Sequence, residues 1–186
     1  MKGFPKDSPL RFLLVFLVLF LVFYYFNIFF FSITSHGEHY NAFFDEHLNY
    51  IRLLRHILLC TTQHIINLFG FTSINNNFQL LVAGRGIIDV VYSCLGLGVM
   101  SFFAAFVIAY PKKTKSKLIF LFTGLVCIQA LNVLRFVLLA LLWDKKSDQI
   151  LDHHTIFNIV IYTIITISLY FWVKHEDKQA ITGAKN

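Results

Sequence analysis

The chain has 186 residues, of which 57% are hydrophobic, 17% aromatic and only 14% charged, with a formal net charge of +6 and a mean hydropathy of +0.66. A soluble domain carries about 25% charged residues, so this composition excludes a water-bathed globule and makes lipid the solvent. Nor does the net charge mark a nucleic-acid binder, because the lysines sit at the ends of apolar runs, where they meet anionic headgroups and set topology.

The first apolar run, Leu10–Phe31, is long enough for a bilayer that needs roughly 20 helical residues. It is longer than the hydrophobic stretch of a cleaved signal peptide and ends in Phe29-Phe30-Phe31 rather than small residues, so it reads as a retained anchor. The next segment, Leu48–Phe69, is nearly long enough to span, but its faces differ. Ile51, Leu54, Leu58, Ile65 and Phe69 fall on one side, and Asn49, Arg52, His56, Gln63 and Asn67 on another. That pattern predicts an amphipathic helix on the outer surface or packed against the bundle. Thr72–Asp89, with Asn75-Asn76-Asn77, Gly84 and Gly86, reads as loop with a short strand at Phe78–Val82. Three more spans follow at Val90–Tyr110, Leu118–Leu142 and Thr155–Val173. No internal repeat is visible.

The expected fold is therefore an all-α integral membrane protein with four transmembrane helices, or five if 48–69 also crosses, plus the amphipathic outer-face helix. Its parts are an N-terminal anchor (1–32), an extracytoplasmic loop carrying helix 48–69 (33–89), a three-helix core (90–173) and a cytoplasmic tail (174–186). Lys2, Lys6 and Arg11 precede the first span. Lys112, Lys113, Lys115 and Lys117 fill the short loop between the second and third spans, and Lys174, Lys178 and Lys185 follow the last. Placing all three flanks in the cytoplasm satisfies the positive-inside rule and puts both termini inside. Ile33–Asn49, which holds Glu38, Asp45 and Glu46 but no Lys or Arg, then lies outside. A fifth crossing would put the Lys-rich loop outside.

Arg135 is the loudest single residue. A charge within a membrane helix costs at least about 2.5–3.5 kcal/mol on insertion scales. Asn132 and Gln129 precede it at three-residue steps, making one polar stripe. The plain alternatives are a guanidinium that snorkels to the headgroups or one that glues two helices together, and a snorkelling one needs no such stripe beneath it. Of the three cysteines, Cys60 and Cys127 read as inert packing, and the set has neither metal nor disulfide spacing. Cys94 differs in depth. It lies 16 residues from Tyr110, and Arg135 lies 17 from Leu118, so continuous helices lift both about 24–26 Å above the Lys-rich loop. His153-His154 opens the last span, and His154 is 19 residues above Val173, about 28 Å by the same rise. Three helices thus deliver a thiol, a guanidinium and an imidazole to one level. An imidazole can take the thiol's proton and return it to a leaving amine, and a guanidinium can stabilise a thiolate or an oxyanion. The set suits acyl transfer through a thioester, with no cofactor and no metal.

These residues resemble the exosortase/archaeosortase family of membrane-embedded cysteine transpeptidases. The family shows Cys-x-Gly opening one span, Asn-x-x-Arg late in the next and a His opening the last; here these are Cys94-Leu95-Gly96, Asn132-Val133-Leu134-Arg135 and His153-His154. The resemblance covers about Val82–Val173. Leu95 stands where the family commonly has a small residue, and Asn158 where a Gly commonly follows the His by four, which favours His154 over His153. The small size is similar to that of short members such as the exosortase F type. The resemblance implies catalytic Cys94, Arg135 and His154, supported by His153, Asn132 and Gly96. It also implies a bacterial inner-membrane protein with its active site on the outer side. Its partners would be exported proteins ending in a short motif, a transmembrane helix and a basic cluster. A lipid or glycan amine, or water, would then take the acyl group.

Two other classes compete. A metal-dependent hydrolase could draw on His36, Glu38, His39, Asp45, Glu46 and His47 with His153, although the spacing forms no ordered metal motif. A non-enzymatic scaffold or transporter subunit would pair Arg135 with a partner helix.

Overall fold

The computed structural model describes residues 9–35, 37, 39–142 and 150–183, with side chains through 141 and from 157 to 174. It divides into two compact units at Lys145/Lys146. The stretch 90–173, expected as one three-helix core, is therefore split between them.

In the first unit, α1 (Pro9–Thr34) is a 26-residue helix whose sequence is apolar on every face. At 1.5 Å per residue it rises about 39 Å, more than the roughly 30 Å of a hydrocarbon core. It packs along α4 (Leu97–Ala109), a 13-residue apolar helix. In lipid, burial gives little drive for two apolar helices to associate, so packing must do it. Aromatic edges supply that packing. Phe16 meets Phe102 at 5.3 Å between centroids, Phe12 meets Phe106 at 5.3 Å, and Phe12 meets Tyr110 at 5.7 Å, all edge-to-face. A polar lock fixes the register: Asn27 Nδ2 donates to Ser101 Oγ at 3.0 Å, and Tyr50 donates its hydroxyl to Asn27 Oδ1 at 2.6 Å. Burial pushes the Tyr50 hydroxyl up to about 12, which keeps it a donor.

The outer segment holds more structure than its sequence predicts. A short helix α2 (Ala42–His47) is capped by the Asn41 side chain, which accepts from Phe43 N. Then α3 (Tyr50–Leu68) starts at Asn49, whose side chain accepts from Arg52 N at 2.8 Å. The amphipathic helix is present, but its buried face is turned. Ile51, Arg55, Leu58, Leu59, Thr62 and Ile66 are buried, while Phe69, expected on the apolar face, is 64% exposed.

Residues 73–89 form a three-stranded antiparallel sheet, β1 (Ser73–Asn75), β2 (Gln79–Val82) and β3 (Gly86–Asp89), in the order β1-β2-β3. Only β2 was expected. Val82 pairs with Gly86, leaving a three-residue loop in which Gly84 takes the left-handed conformation at φ 77°. Leu80, Val82 and Ile88 turn inward. The sheet is tied to α3 by Gln63 Nε2 donating to Ser73 O at 2.8 Å and by Ser73 Oγ donating to Asn67 Oδ1 at 2.7 Å.

The expected span at Val90–Tyr110 is not one helix. Val90 and Val91 lie outside any helix, with Val91 extended, Tyr92–Leu95 is a 3-10 turn, and the α-helix begins only at Leu97. Across the Lys-rich loop, α5 (Thr114–Leu142) runs 29 residues and packs on α4, with the Phe103 ring filling the space that Gly124 leaves beside it.

The second unit is α6 (Ile150–Gly183), longer than the expected span and continuing through most of the stretch expected to be a tail. The described helices long and apolar enough to cross a membrane are three, at Pro9–Thr34, Thr114–Leu141 and Phe157–Lys174; α4 is apolar but shorter. The protein is a predominantly helical membrane protein with one small sheet in place of the expected all-α fold, and among the described residues four full crossings are not reached by length alone.

Candidate functional site

The site is built where β3 gives way to α4. Cys94 N donates to Val91 O at 2.9 Å, closing the 3-10 turn. Gly96, at φ 71° and ψ 15°, then reverses the backbone and starts α4, with Met100 N donating to Gly96 O at 2.9 Å. A side chain disfavours that conformation by about 1–2 kcal/mol. Space forbids it as well, because a Cβ on Gly96 would stand 2.5 Å from Asn132 Nδ2. Two independent constraints thus converge on one position. Gly96→Ala is expected to lower stability by about 1–3 kcal/mol, read as an earlier thermal unfolding of the detergent-purified protein; an unchanged midpoint would contradict this account of the turn.

The polar stripe of α5 faces this turn. Gln129 Nε2 donates to Leu95 O at 3.2 Å, Asn132 Nδ2 to Leu95 O at 3.4 Å and Arg135 NH2 to Cys94 O at 2.9 Å. Asn132 Nδ2 also donates to Gln129 Oε1 at 3.1 Å. Successive i, i+3 positions lie on one helical face, so the three donors climb the turn in order. Cys94 is 6% exposed and Arg135 3%. One donor is left over: Arg135 Nε is buried and has no hydrogen-bond partner. An unsatisfied buried donor costs about 1–3 kcal/mol, more for a charged group. A guanidinium held in this way has an N–H to offer an incoming oxygen.

The structure therefore brings together Cys94, Gly96, Asn132 and Arg135, and adds Gln129 to them. Cys94 meets Arg135 from a 3-10 turn rather than from the continuous helix expected at Val90–Tyr110, so helical rise does not account for its position. His153 and His154 fall in the first turns of α6, with their side chains outside the described residues. Asn158 lies on the same helix.

Cys127 is exposed. Cys60, expected as inert packing, instead has His56 Nε2 at 3.5 Å and accepts from Asn75 Nδ2 at 3.6 Å. His36 and Glu38 lie outside the described residues. Asp45 is already held by Tyr40, Asn49 and Arg52, and His47 stacks on Phe43. Among the described residues, no three His, Cys, Asp or Glu side chains gather as a metal site. Sequence reasoning passed over Arg55, which is 7% exposed inside α3. The signal was present, because Arg55 stands three or four residues from Ile51, Leu58 and Leu59 and so shares their face.

Compared with known families, the chain matches the model of the transmembrane exosortase (Exosortase_EpsH) over residues 6–171. That match extends beyond the Val82–Val173 stretch that carries the resemblance and takes in most of the N-terminal half. No curated protein and no solved structure matches.

Proposed function

The chain belongs to the transmembrane exosortase family, and from that premise we propose that it is a cysteine transpeptidase working on the C-terminal sorting tails of exported proteins. Cys94 is the nucleophile, Arg135 the electrostatic stabiliser and His154 the base and acid, with His153 beside it as support. Asn132 and Gly96 position the turn. One observation carries the reading: a buried guanidinium, held by its bond to the backbone carbonyl of the buried Cys94, keeps its Nε–H unpaired.

The chemistry follows from the groups. A cysteine attacks as thiolate. His154 takes the Sγ proton, and the sulfur adds to the carbonyl carbon of the scissile amide. The oxyanion that forms receives N–H from Arg135, in surroundings where such a contact is strong. The C–N bond then breaks, and the imidazolium gives its proton to the departing amine. The acyl group remains on Cys94 as a thioester. An acceptor amine, or water, loses a proton to His154, attacks the thioester and frees the thiol. Where transfer occurs the acceptor is a lipid or glycan amine, and where water attacks the outcome is simple hydrolysis.

The Lys-rich flanks support an orientation with both termini in the cytoplasm of a bacterial inner membrane. That topology puts the Cys94 turn toward the outer side, where the helix of a substrate tail would emerge. The scaffold reading needs Arg135 for a partner helix, yet Arg135 is 3% exposed and already donates to Cys94 O within its own chain.

The decisive test is capture of the intermediate. Cells producing the protein with a tail-bearing exported protein are lysed in acid, and the Cys94 peptide is examined by mass spectrometry. The expected result is an acyl adduct on Cys94 that hydroxylamine removes. An adduct confined to Cys60 or Cys127, or none at all while the tail is still cleaved, would defeat the proposal.

A further inference from the structure

A second buried guanidinium lies away from the Cys94 turn. Arg55, on the inward face of α3, is 7% exposed. Its Nε is buried with no hydrogen-bond partner, and no described carboxylate pairs with it. Its one marked neighbour is the Phe78 ring, whose centroid is 4.6 Å from Cζ. Such a charge is costly to hold unless something pairs with it.

Arg55 lines a cavity of about 400 Å³ that also touches Thr34, Asp45, Arg52, Asn77 and Phe78. The charges do not cancel. Asp45 and Arg52 form an ion pair at 3.6 Å, and Asp45 also accepts from Tyr40 at 3.0 Å and Asn49 at 2.7 Å. Among the described residues, Arg55 therefore leaves one positive charge over, facing a space larger than a single carboxylate fills. Position narrows the occupant. Phe31 and Thr34 of the cavity wall belong to the end of α1, and Ser35 follows it directly. That helix outruns the hydrocarbon core by roughly 9 Å, so its ends enter the headgroup layers. The oxyanion that abounds at this level, carries a single negative charge and fits the fork of an arginine is the phosphodiester of a membrane lipid.

We propose that this cavity is a lipid-headgroup site, with Arg55 receiving the phosphodiester and Arg52 flanking it. The site stands on its own geometry and does not require the transpeptidase reading.

The test is native mass spectrometry of the full chain released from detergent, titrated with phosphatidylglycerol or with diacylglycerol of the same acyl chains. The expected result is saturable binding of phosphatidylglycerol at least tenfold tighter than of diacylglycerol, weakened about tenfold in Arg55→Met. Met has a similar length and no charge, so helical content by circular dichroism should be kept. Should that variant fail to fold, Arg55→Lys, which keeps the charge but loses the fork, is expected to bind several-fold more weakly than the parent. Displacement of phosphatidylglycerol by millimolar inorganic phosphate would support the oxyanion contact. Saturable phosphate binding without preference between the two lipids would overturn the lipid assignment in favour of a free anion. Equal lipid binding by the parent chain and a folded Arg55 variant would overturn the site altogether.

Discussion

Cys94→Ala is expected to abolish tail cleavage, by about 10⁴-fold or more, while the protein remains inserted and abundant. The magnitude follows from losing a covalent route outright, since a nucleophile in a cooperating group costs as much when removed alone as when the whole group goes. The structural side is mild. Cys94 enters the fold chiefly through its backbone, whose N–H closes the 3-10 turn and whose carbonyl receives Arg135; both survive the substitution. Removing one sulfur leaves a small gap, and small core deletions cost about 0.5–1.5 kcal/mol. Immunoblots of the processed and unprocessed substrate, with the enzyme blotted in parallel, separate the two effects. A Cys94→Ala protein that still cleaves would make Cys94 a packing residue and leave Arg135 a purely structural clamp.

Arg135 gives the second large effect, and it has two parts. Arg135→Ala removes the donor to Cys94 O and the unpaired Nε, so it is expected to loosen the turn and to lower cleavage about 10²–10³-fold or more. Arg135→Lys separates the parts. An ammonium keeps the charge near Cys94 but lacks the fork needed to hold a carbonyl and still present a second N–H. It is expected to recover stability more than activity. Thermal midpoint and cleavage rate, measured on both variants, decide. If Arg135→Lys restores both equally, charge alone is what the site needs and the geometric account of Nε fails.

The legible and illegible parts of this protein divide along physical lines. The stripe Gln129, Asn132, Arg135 was readable because i, i+3 spacing survives any packing: polar groups on one helical face must share a neighbour. The Cys94-Leu95-Gly96 element was readable as a motif but not as a shape. Val90, Val91 and Tyr92 are apolar, so they continue the hydropathy of the following helix, and nothing in their side chains announces an extended stretch and a 3-10 turn. Gly96 was the one hint, and its positive φ required coordinates. The sheet at 73–89 escaped for a different reason: its strands are three or four residues long, too short for alternation to stand out between asparagines and glycines. On α3 the period was right and the phase wrong, because Arg55 was assigned to neither face while its backbone position puts it inward.

The pairing of α5 with the bend ahead of α4 also limits how this site can change. Where water is absent, a carbonyl that leaves a helix must find a donor from elsewhere in the protein, and each failure costs several kcal/mol. Here two buried carbonyl oxygens of the bend, on residues 94 and 95, are answered by three side chains three residues apart on α5. Bend and stripe are therefore interlocking halves. Inserting one residue into α5 ahead of Gln129 would swing all three donors about 100° around the helix axis and strand both oxygens at once. Tolerated variation must move the halves together.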